Sequence, residues 1–511
     1  MCPAGPEPPA NTGAGSEAGA GAGVDAEARN GVEARIGPGI SPGPGPRMTT
    51  GTPAESDIAT DPGMLARIDP EVAALLAAER ERQNQGIHLL APSMLATPAI
   101  RECLASDLLN LDGEGYLRNS HADITDYADF ERHYSADGGS KYNPSGPVAE
   151  YVEFLATRRL ARMLCAGTGL APEELHVNVQ PVSGSFANLA VLRGVLSPGE
   201  TVLSLGLSSG GHLSHGAPFH QSGQDYTIVS IDHGVDDQCL DLEALYKTAA
   251  THKPRVVIIG ASSFPRRISW QKVADTVRAL SPRPVVVADI AHFAGLVATG
   301  TYDNPLPWAD VVTMVGYKTL GGPKSAAIAV RDPALARRID RALFPGLQGA
   351  PRMAEICALA TAARVAQGEE FRGLIHRSVA NAAHLQTALG DHGLPCAFGG
   401  TDTHMLVLKD QPHAARLAQY LERIGVFTNS NMLPGDRGPT AASGIRLGTV
   451  GATQRGLEPA AVPELAALLA DAFTDFRNSG TDAARLDQCC RQFARTHLVD
   501  IELLNRKERT R

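Results

Sequence analysis

The 511-residue sequence has no excess of positive charge. Lysine and arginine together number 46, against 55 aspartate and glutamate residues, so the formal net charge is −9. Proteins that bind nucleic acids or membrane surfaces generally need a basic face, so this balance argues against both functions. The sequence also has only eight cysteines, scattered without a CxxC pair or a spacing typical of metal ligands. We therefore expect no metal site and a reduced protein of the cytoplasm.

Long apolar runs are missing as well. The most apolar stretch, PVVVADIAHFAGLVATG, is interrupted by Asp289 and His292, so it does not predict a membrane span. The N-terminal stretch is rich in alanine, glycine and proline and has almost no large apolar side chain. It cannot bury enough surface to offset the entropy of ordering. We expect a disordered leader over residues 1–60, with ordered structure beginning near Asp61.

Short apolar runs alternate with helical patterns through the middle of the chain. Runs bounded by glycine, proline or aspartate predict strands: TVLSLGL, YTIVSI, RVVIIGA, PVVVADIA, VVTMVGY and SAAIAV. This alternation predicts an α/β fold over residues 61–343, with an N-terminal arm and a mostly parallel sheet covered on both faces. The chain then becomes helix-rich, with further strand-like runs. This pattern predicts a smaller C-terminal α+β domain over residues 344–479 and a charged tail over residues 480–511.

Polar residues follow several predicted strands, at the sheet edge where α/β proteins gather their chemistry. Ser183, Gly184 and Ser185 precede an apolar helix, and small residues at a helix N-terminus suit a phosphate group. The alternative is an ordinary serine N-cap. His212 comes after two glycines and the run TVLSLGL, where an imidazole can stack on a flat ring. The alternative there is a glycine-rich turn with a surface histidine.

Two later predicted strands are followed or closed by a charged residue, one by an aspartate and one by a lysine. Asp289 closes PVVVAD, and a buried carboxylate needs a partner such as a protonated pyridine nitrogen. His292, three residues later, could reach the phenolic oxygen of the same ring. Lys318 follows VVTMVGY, and a desolvated lysine forms imines readily; the alternative is a surface lysine at a strand end. Phosphate loop, histidine, aspartate and lysine in this order predict a pyridoxal 5'-phosphate (PLP) site.

In this order the motifs resemble those of the serine hydroxymethyltransferases, a fold-type I PLP-dependent family. The resembling segments include GEGY, HVNVQPVSGSFANLAVL, LSSGGHLSHG, VADIAHFAGLVATG, YKTLGGPK, FPGLQGAP and SGIRLGT. The resemblance implies a PLP-dependent transferase that cleaves and forms the bond between the glycine α-carbon and an aldehyde, as in serine or threonine. It also implies a homodimer or homotetramer with shared active sites.

The resemblance implies a role for each cofactor residue. Lys318 would bind PLP covalently, Asp289 would pair with the pyridine nitrogen and His212 would stack on the ring. Ser262 and His292 would approach the phenolic oxygen.

Other matching residues would serve the phosphate and the substrate. Residues 183–185 would hold the phosphate, together with Gly349 from a neighbouring subunit. Arg446 would bind the substrate carboxylate, since a planar guanidinium suits a carboxylate. Glu114, also from the neighbouring subunit, would act as acid and base, and Asn431 matches a position near the folate.

The sequence departs from the family around the substrate. Asp112 stands where the family has tyrosine, and Tyr317 stands where it has histidine. An insertion over residues 117–140 follows Glu114 closely and carries mostly acidic charge, so we expect it near the mouth of the site. The alternative is a solvated surface loop. Repulsion of an anionic folate at the mouth of the site would disfavour tetrahydrofolate as co-substrate. The alternatives are therefore a folate-independent L-threonine transaldolase or aldolase and, ranked lower, another fold-type I PLP enzyme or a catalytically silent homologue.

Overall fold

The computed structural model describes residues 63–117, 124–137, 141–501 and 503–504. The predicted leader, residues 1–60, lies outside the described residues. The chain divides between Ile68 and Asp69, and helix α1 is the described part of the shorter, N-terminal unit.

Within the described residues the chain forms seventeen α-helices, numbered in chain order: α1 Met64–Ile68, α2 Pro70–Gln85, α3 Pro98–Leu104, α4 Tyr127–Asp137, α5 Pro147–Cys165, α6 Gly184–Val195, α7 Gln221–Asp225, α8 Leu242–His252, α9 Trp270–Arg278, α10 Ala294–Ala298, α11 Pro333–Leu343, α12 Met353–Val365, α13 Glu369–Asp391, α14 Ala414–Arg423, α15 Val450–Gln454, α16 Val462–Arg477 and α17 Ala483–His497. The twelve strands found there are β1 Ile87–His88, β2 His176–Asn178, β3 Thr201–Leu205, β4 Thr227–Ile231, β5 Val256–Gly260, β6 Val285–Asp289, β7 Val311–Val315, β8 Ala326–Val330, β9 Met405–Leu408, β10 Val426–Phe427, β11 Asn429–Asn431 and β12 Gly444–Gly448.

Seven of these strands form the large sheet, in the order β2-β8-β7-β6-β5-β3-β4. The pairs from β7 through to β4 are parallel, whereas β8 runs antiparallel to both of its neighbours. The sheet is buried on both faces because alternate residues of its strands enter two different cores. Val257 and Val312 join one core, and their neighbours Val256 and Val311 join the other. The predicted α/β class with a mostly parallel, doubly covered sheet is confirmed.

A smaller sheet lies further along the chain, with β12 between β11 and β9 and both pairs antiparallel. Its apolar face packs on α13, α14 and α16 in a third core. Helix α17 lies in the predicted charged tail, and it joins this core by burying Leu486, Cys490 and Phe493. Helix α12 packs on α5 and α3. The domain boundaries given above remain predictions.

No helix in the described ranges is both long enough and apolar enough to cross a membrane.

Candidate active site

The polar residues predicted to act together line one cavity at the carboxyl ends of β5, β6 and β7. Parallel strands bring these ends to a common edge, so residues far apart in sequence meet there. Among the residues that line the cavity are Ser183, Gly184, Ser185, His212, Ser262, Asp289, His292, Tyr317 and Lys318. Nine sequence-predicted residues therefore meet in one place.

Asp289 is the last residue of β6 and is 7% exposed. Its carboxylate accepts three hydrogen bonds: from Asn188 Nδ2 at 2.8 Å, from His215 Nε2 at 2.9 Å and from the backbone N–H of Ala291 at 2.8 Å. Burial alone would raise the pKa of Asp289, but the hydrogen bonds from His215 and Asn188 outweigh it and hold the pKa well below its usual range. The carboxylate is therefore ionised and can pair with a cationic ring nitrogen.

His215 is a site residue that the sequence analysis missed. Its Nδ1 accepts the backbone N–H of His212 at 3.3 Å, so we assign the ring hydrogen to Nε2, which donates to Asp289. The side chain is 1% exposed. The sequence signal was present in GGHLSHG, where the two histidines are spaced by one helical turn.

Asn188, also missed, joins Asp289 to His212. Its side-chain NH2 donates both to Asp289 and to Ser214 Oγ, and its carbonyl accepts from Thr313 Oγ1, each at 2.8 Å. Ser214 Oγ in turn lies 2.8 Å from His212 Nδ1. This buried network fixes the carboxylate and the imidazole relative to each other.

His212 is held neutral at physiological pH. Its Nδ1 accepts the backbone N–H of Ser214 at 3.2 Å. Burial, aided by the neighbouring His215, lowers its pKa to about 4. A neutral imidazole ring in this cavity suits stacking on an aromatic ring.

Lys318 follows β7 by three residues and is 6% exposed. Burial lowers its pKa to about 8, against the opposing effect of Asp289. A larger fraction of the amine is therefore neutral near physiological pH than in an ordinary lysine, and the neutral amine is the nucleophile. The alternative of a surface lysine is wrong, because the side chain is buried.

Arg446 lies in the middle of β12 and does not itself line the cavity, but it contacts Ser262, which does. Its Nε donates to Asn429 Oδ1 at 3.1 Å, and its Nη1 donates to the backbone carbonyl of Ser262. Burial lowers its pKa to about 10, so it stays charged. Asn431 lies on β11 beside it, where its Oδ1 accepts from Asn429 at 2.7 Å.

The N-terminus of α6 forms one end of the cavity. Ser183 is the N-cap, and its Oγ accepts from the backbone N–H of Phe186 at 3.3 Å. A Cβ at Gly184 would lie 2.8 Å from Val315 Cγ1, so a glycine is needed here. Free N–H groups and the helix dipole favour an anion at this position.

His292 also lines the cavity and is buried. Burial and the positive charges of Lys318 and Arg446 hold its pKa well below the usual range, so it is neutral. Its Nδ1 is buried without a hydrogen-bond partner among the described residues. Its ring stacks on His404, with centroids 6.2 Å apart.

Glu114, Asp112 and Gly349 do not line the cavity of their own chain. Glu114 and Gly349 instead lie side by side, since a Cβ built on the glycine would be 3.4 Å from Glu114 Oε1. Asp112, two residues before the glutamate, is exposed. The roles predicted for Glu114 and Gly349 in the site of a neighbouring subunit, and for Asp112 at the substrate, remain predictions.

The described part of the insertion forms α4, which packs on α5. Phe130 is buried against Tyr151 and Phe154, with ring centroids 5.3 Å and 5.8 Å away. None of its described residues lines the cavity of the same chain. Its predicted position at the mouth of a shared site therefore remains a prediction.

The cavity thus combines a nucleophilic lysine, an ionised carboxylate and an anion-binding helix terminus. The sequence agrees with this geometry, since it matches the family model for serine hydroxymethyltransferase over residues 65–469. The chain belongs to the serine hydroxymethyltransferase family. It is therefore an enzyme of a PLP-dependent transferase family, as the motifs predicted.

Three bacterial members of the family show how widely the similarity extends. The chain is 36% identical over 415 residues to a serine hydroxymethyltransferase of Myxococcus xanthus (strain DK1622), covering 80% of this chain and 91% of that protein. It is 35% identical over 435 residues to serine hydroxymethyltransferase 2 of Rhodospirillum rubrum, covering 84% and 93%. It is 35% identical over 430 residues to a serine hydroxymethyltransferase of Wolbachia sp. subsp. Brugia malayi, covering 82% and 92%.

The residues of the cavity fit the PLP that the family implies. Asp289 is ionised and buried, as a partner of a pyridinium must be. Nδ1 of His292 is a buried polar atom that still needs a partner, and the α6 terminus offers N–H groups to a phosphate. Lys318 supplies the amine.

Proposed function

We propose that the enzyme catalyses reversible aldol cleavage and formation at the glycine α-carbon of a β-hydroxy amino acid, with serine or threonine as the amino acid. The observation that carries the proposal is the buried Arg446 beside the Lys318 cavity. An α-amino acid needs both an amine-exchanging lysine and a fixed carboxylate partner. We further propose that it works in the cytoplasm, as a homodimer or homotetramer with shared sites.

Arg446 orients the substrate. Its guanidinium has five N–H donors, of which Asn429 and the carbonyl of Ser262 use two. The remaining donors can hold a carboxylate in a bidentate pair. Fixing the carboxylate determines which bond of the α-carbon is aligned for cleavage.

The other residues of the chain hold the cofactor and handle protons. When bound, PLP withdraws electrons from the bonds of the substrate α-carbon. Asp289 would keep a proton on its ring nitrogen, and the neutral imidazole of His212 would stack on its ring. Lys318 would hold the cofactor through its amine, and Glu114 of the neighbouring subunit takes the proton from the β-hydroxyl group.

A second candidate, folate-independent cleavage or transfer from L-threonine, is favoured by Tyr317. This residue lines the cavity, and its ring centroid lies 6.0 Å from Lys318 Nζ. Burial raises the pKa of Tyr317, so the phenol stays neutral beside the substrate. A tyrosine next to the lysine changes the wall against which the aldehyde portion packs, whereas Asp289 and His212 are retained.

The deciding experiment incubates the PLP-loaded enzyme with serine and separately with threonine, each with and without tetrahydrofolate. Glycine and the aldehyde or methylenetetrahydrofolate are quantified. We expect appreciable folate-independent cleavage of threonine or another β-hydroxy amino acid, and weak folate-dependent cleavage of serine. Fast folate-dependent serine cleavage with little threonine cleavage would exclude the second candidate. Failure to form glycine from either amino acid would refute the proposed reaction.

A further inference from the structure

A buried ion pair supports the segment that carries Glu114, outside the Lys318 cavity. The side chains of Lys141 and Glu153 face each other and are 0% and 6% exposed. Such a pair is costly to desolvate, and apolar residues of similar size often stabilise a fold as well or better. Stability alone is therefore a weak reason for two charges at this place.

The ion pair and its neighbours hold the backbone on both sides of Glu114. Lys141 Nζ donates to the carbonyl of the residue before Glu114 at 3.2 Å. The backbone N–H of Asn143 donates to the carbonyl of Glu114 itself at 3.1 Å. Gln180 Nε2 donates to the carbonyl of the residue after it at 2.8 Å. Three successive carbonyls are thus fixed by three donors.

Gln180 also joins this arrangement to the segment that carries Gly349. Its Nε2 donates to Glu153 Oε1 at 2.6 Å, and its backbone carbonyl accepts from Gln348 Nε2 at 2.8 Å. Gln348 directly precedes Gly349, the residue that lies against the Glu114 carboxylate. The backbone of Glu114 and the surface beside its carboxylate are therefore held by one network.

We propose that Lys141, Glu153 and Gln180 form a clamp that positions Glu114 for proton transfer. They are positioning residues, since none of them lines the Lys318 cavity of the chain. This inference rests on the proposed function, because it requires that Glu114 handles protons. Lys141 is also the first residue after the insertion, so the clamp fixes the point where the insertion rejoins the family's framework.

The test compares Lys141→Met with the conservative Lys141→Arg in the PLP-loaded enzyme. We expect Lys141→Met to lower kcat for amino acid cleavage roughly tenfold or more, since small misplacements of a reacting group are costly. KM for the amino acid and the PLP absorption spectrum should change less than about twofold, because Arg446 and Lys318 are untouched. Lys141→Arg should recover much of the loss. Lys247→Met, which breaks an exposed ion pair with Glu243, is the control and should have wild-type kcat.

A second variant separates positioning from folding. Lys141→Met/Glu153→Leu replaces the ion pair with apolar residues, so it should unfold at a similar temperature to the wild type. The donor to the backbone beside Glu114 is still missing, and kcat should stay low. Recovery of wild-type kcat in this double variant would show that the ion pair is only structural and would overturn the inference.

Glu114→Gln distinguishes failure of the inference from failure of the proposed role. If Glu114→Gln lowers kcat and Lys141→Met does not, the clamp is refuted and the role of Glu114 stands. If Glu114→Gln has wild-type kcat, the role itself is refuted. If the clamp acts through Glu114, adding Lys141→Met to Glu114→Gln should lower kcat no further.

Discussion

Replacing Arg446 with lysine tests how the enzyme recognises its amino acid. The substitution keeps the positive charge but removes the planar fork. In the structure, two of the five N–H donors of Arg446 already serve Asn429 and the carbonyl of Ser262. The three donors of a lysine cannot satisfy these two groups and also bind a carboxylate with two hydrogen bonds.

The expected loss follows from this count. At least one hydrogen bond between charged groups is removed, which is worth about 2 kcal/mol in a buried site. This corresponds to a fall of about 30-fold in kcat/KM for the amino acid. Bond alignment at the α-carbon should suffer too, so part of the loss should appear in kcat.

The assay measures kcat and KM for the amino acid with the PLP-loaded variant. Arg455→Lys is the control, because Arg455 is also buried but donates to backbone carbonyls of Gln83, Asn84, Gly86 and Val499. The control should leave KM for the amino acid unchanged. A near-normal KM in Arg446→Lys would show that the carboxylate binds elsewhere.

Three further predictions concern ionisation and stability. Capture of PLP by the apoprotein should accelerate with rising pH and level off above about 8, because only the neutral amine of Lys318 reacts and its pKa is about 8; a rate that keeps rising beyond pH 10 would contradict this. Arg455→Met should lower the free energy of unfolding by about 3–5 kcal/mol in denaturant titrations, since buried carbonyls lose their donor. A change below about 1 kcal/mol would show that the hydrogen bonds of Arg455 to the end of α2 and to Val499 contribute little to stability. Burial lowers the pKa of His88 from 6.5 to about 4, so on acidification the unfolded chain binds a proton at this residue before the folded chain does. The free energy of unfolding should therefore fall by about 3 kcal/mol from this residue as pH drops from 6.5 to 4. The pH dependence of unfolding should flatten in His88→Phe, and an unchanged slope would exclude His88 as its source.

Six strands of the large sheet were predictable because each is a short apolar run between breakers, whereas β2, with only three residues, was not predicted. PVVVAD ends in a strand whose last residue is Asp289, as predicted. Strands β1 and β10 have two residues each, too short to leave a periodic signal. Helix α4 was not predicted, although Tyr127, Phe130 and Tyr134 have helical spacing.

The cavity residues that belong to a recognisable sequence motif were predictable. Residues whose role depends only on contacts in the folded structure were missed. His215 and Asp289 are 74 residues apart, and nothing in GGHLSHG tells which histidine meets the carboxylate. In the sequence, Asn188 is only one residue of an apolar helix. Its role appears in the fold, where it hydrogen-bonds to Asp289 at the end of β6 and to Thr313 on β7. The degree of burial that lowers the pKa of Lys318 likewise depends on packing around the completed sheet.

The most direct test of the central claim is hydrogen exchange at the α-carbon of glycine. The PLP-loaded enzyme is incubated with glycine in D2O without folate, and the α-hydrogens are followed by NMR. Both candidate functions require the enzyme to remove one α-hydrogen of bound glycine, so we predict exchange of one of the two and negligible exchange in Lys318→Ala. Absence of exchange, or equal exchange in Lys318→Ala, would contradict aldol chemistry at glycine in this cavity.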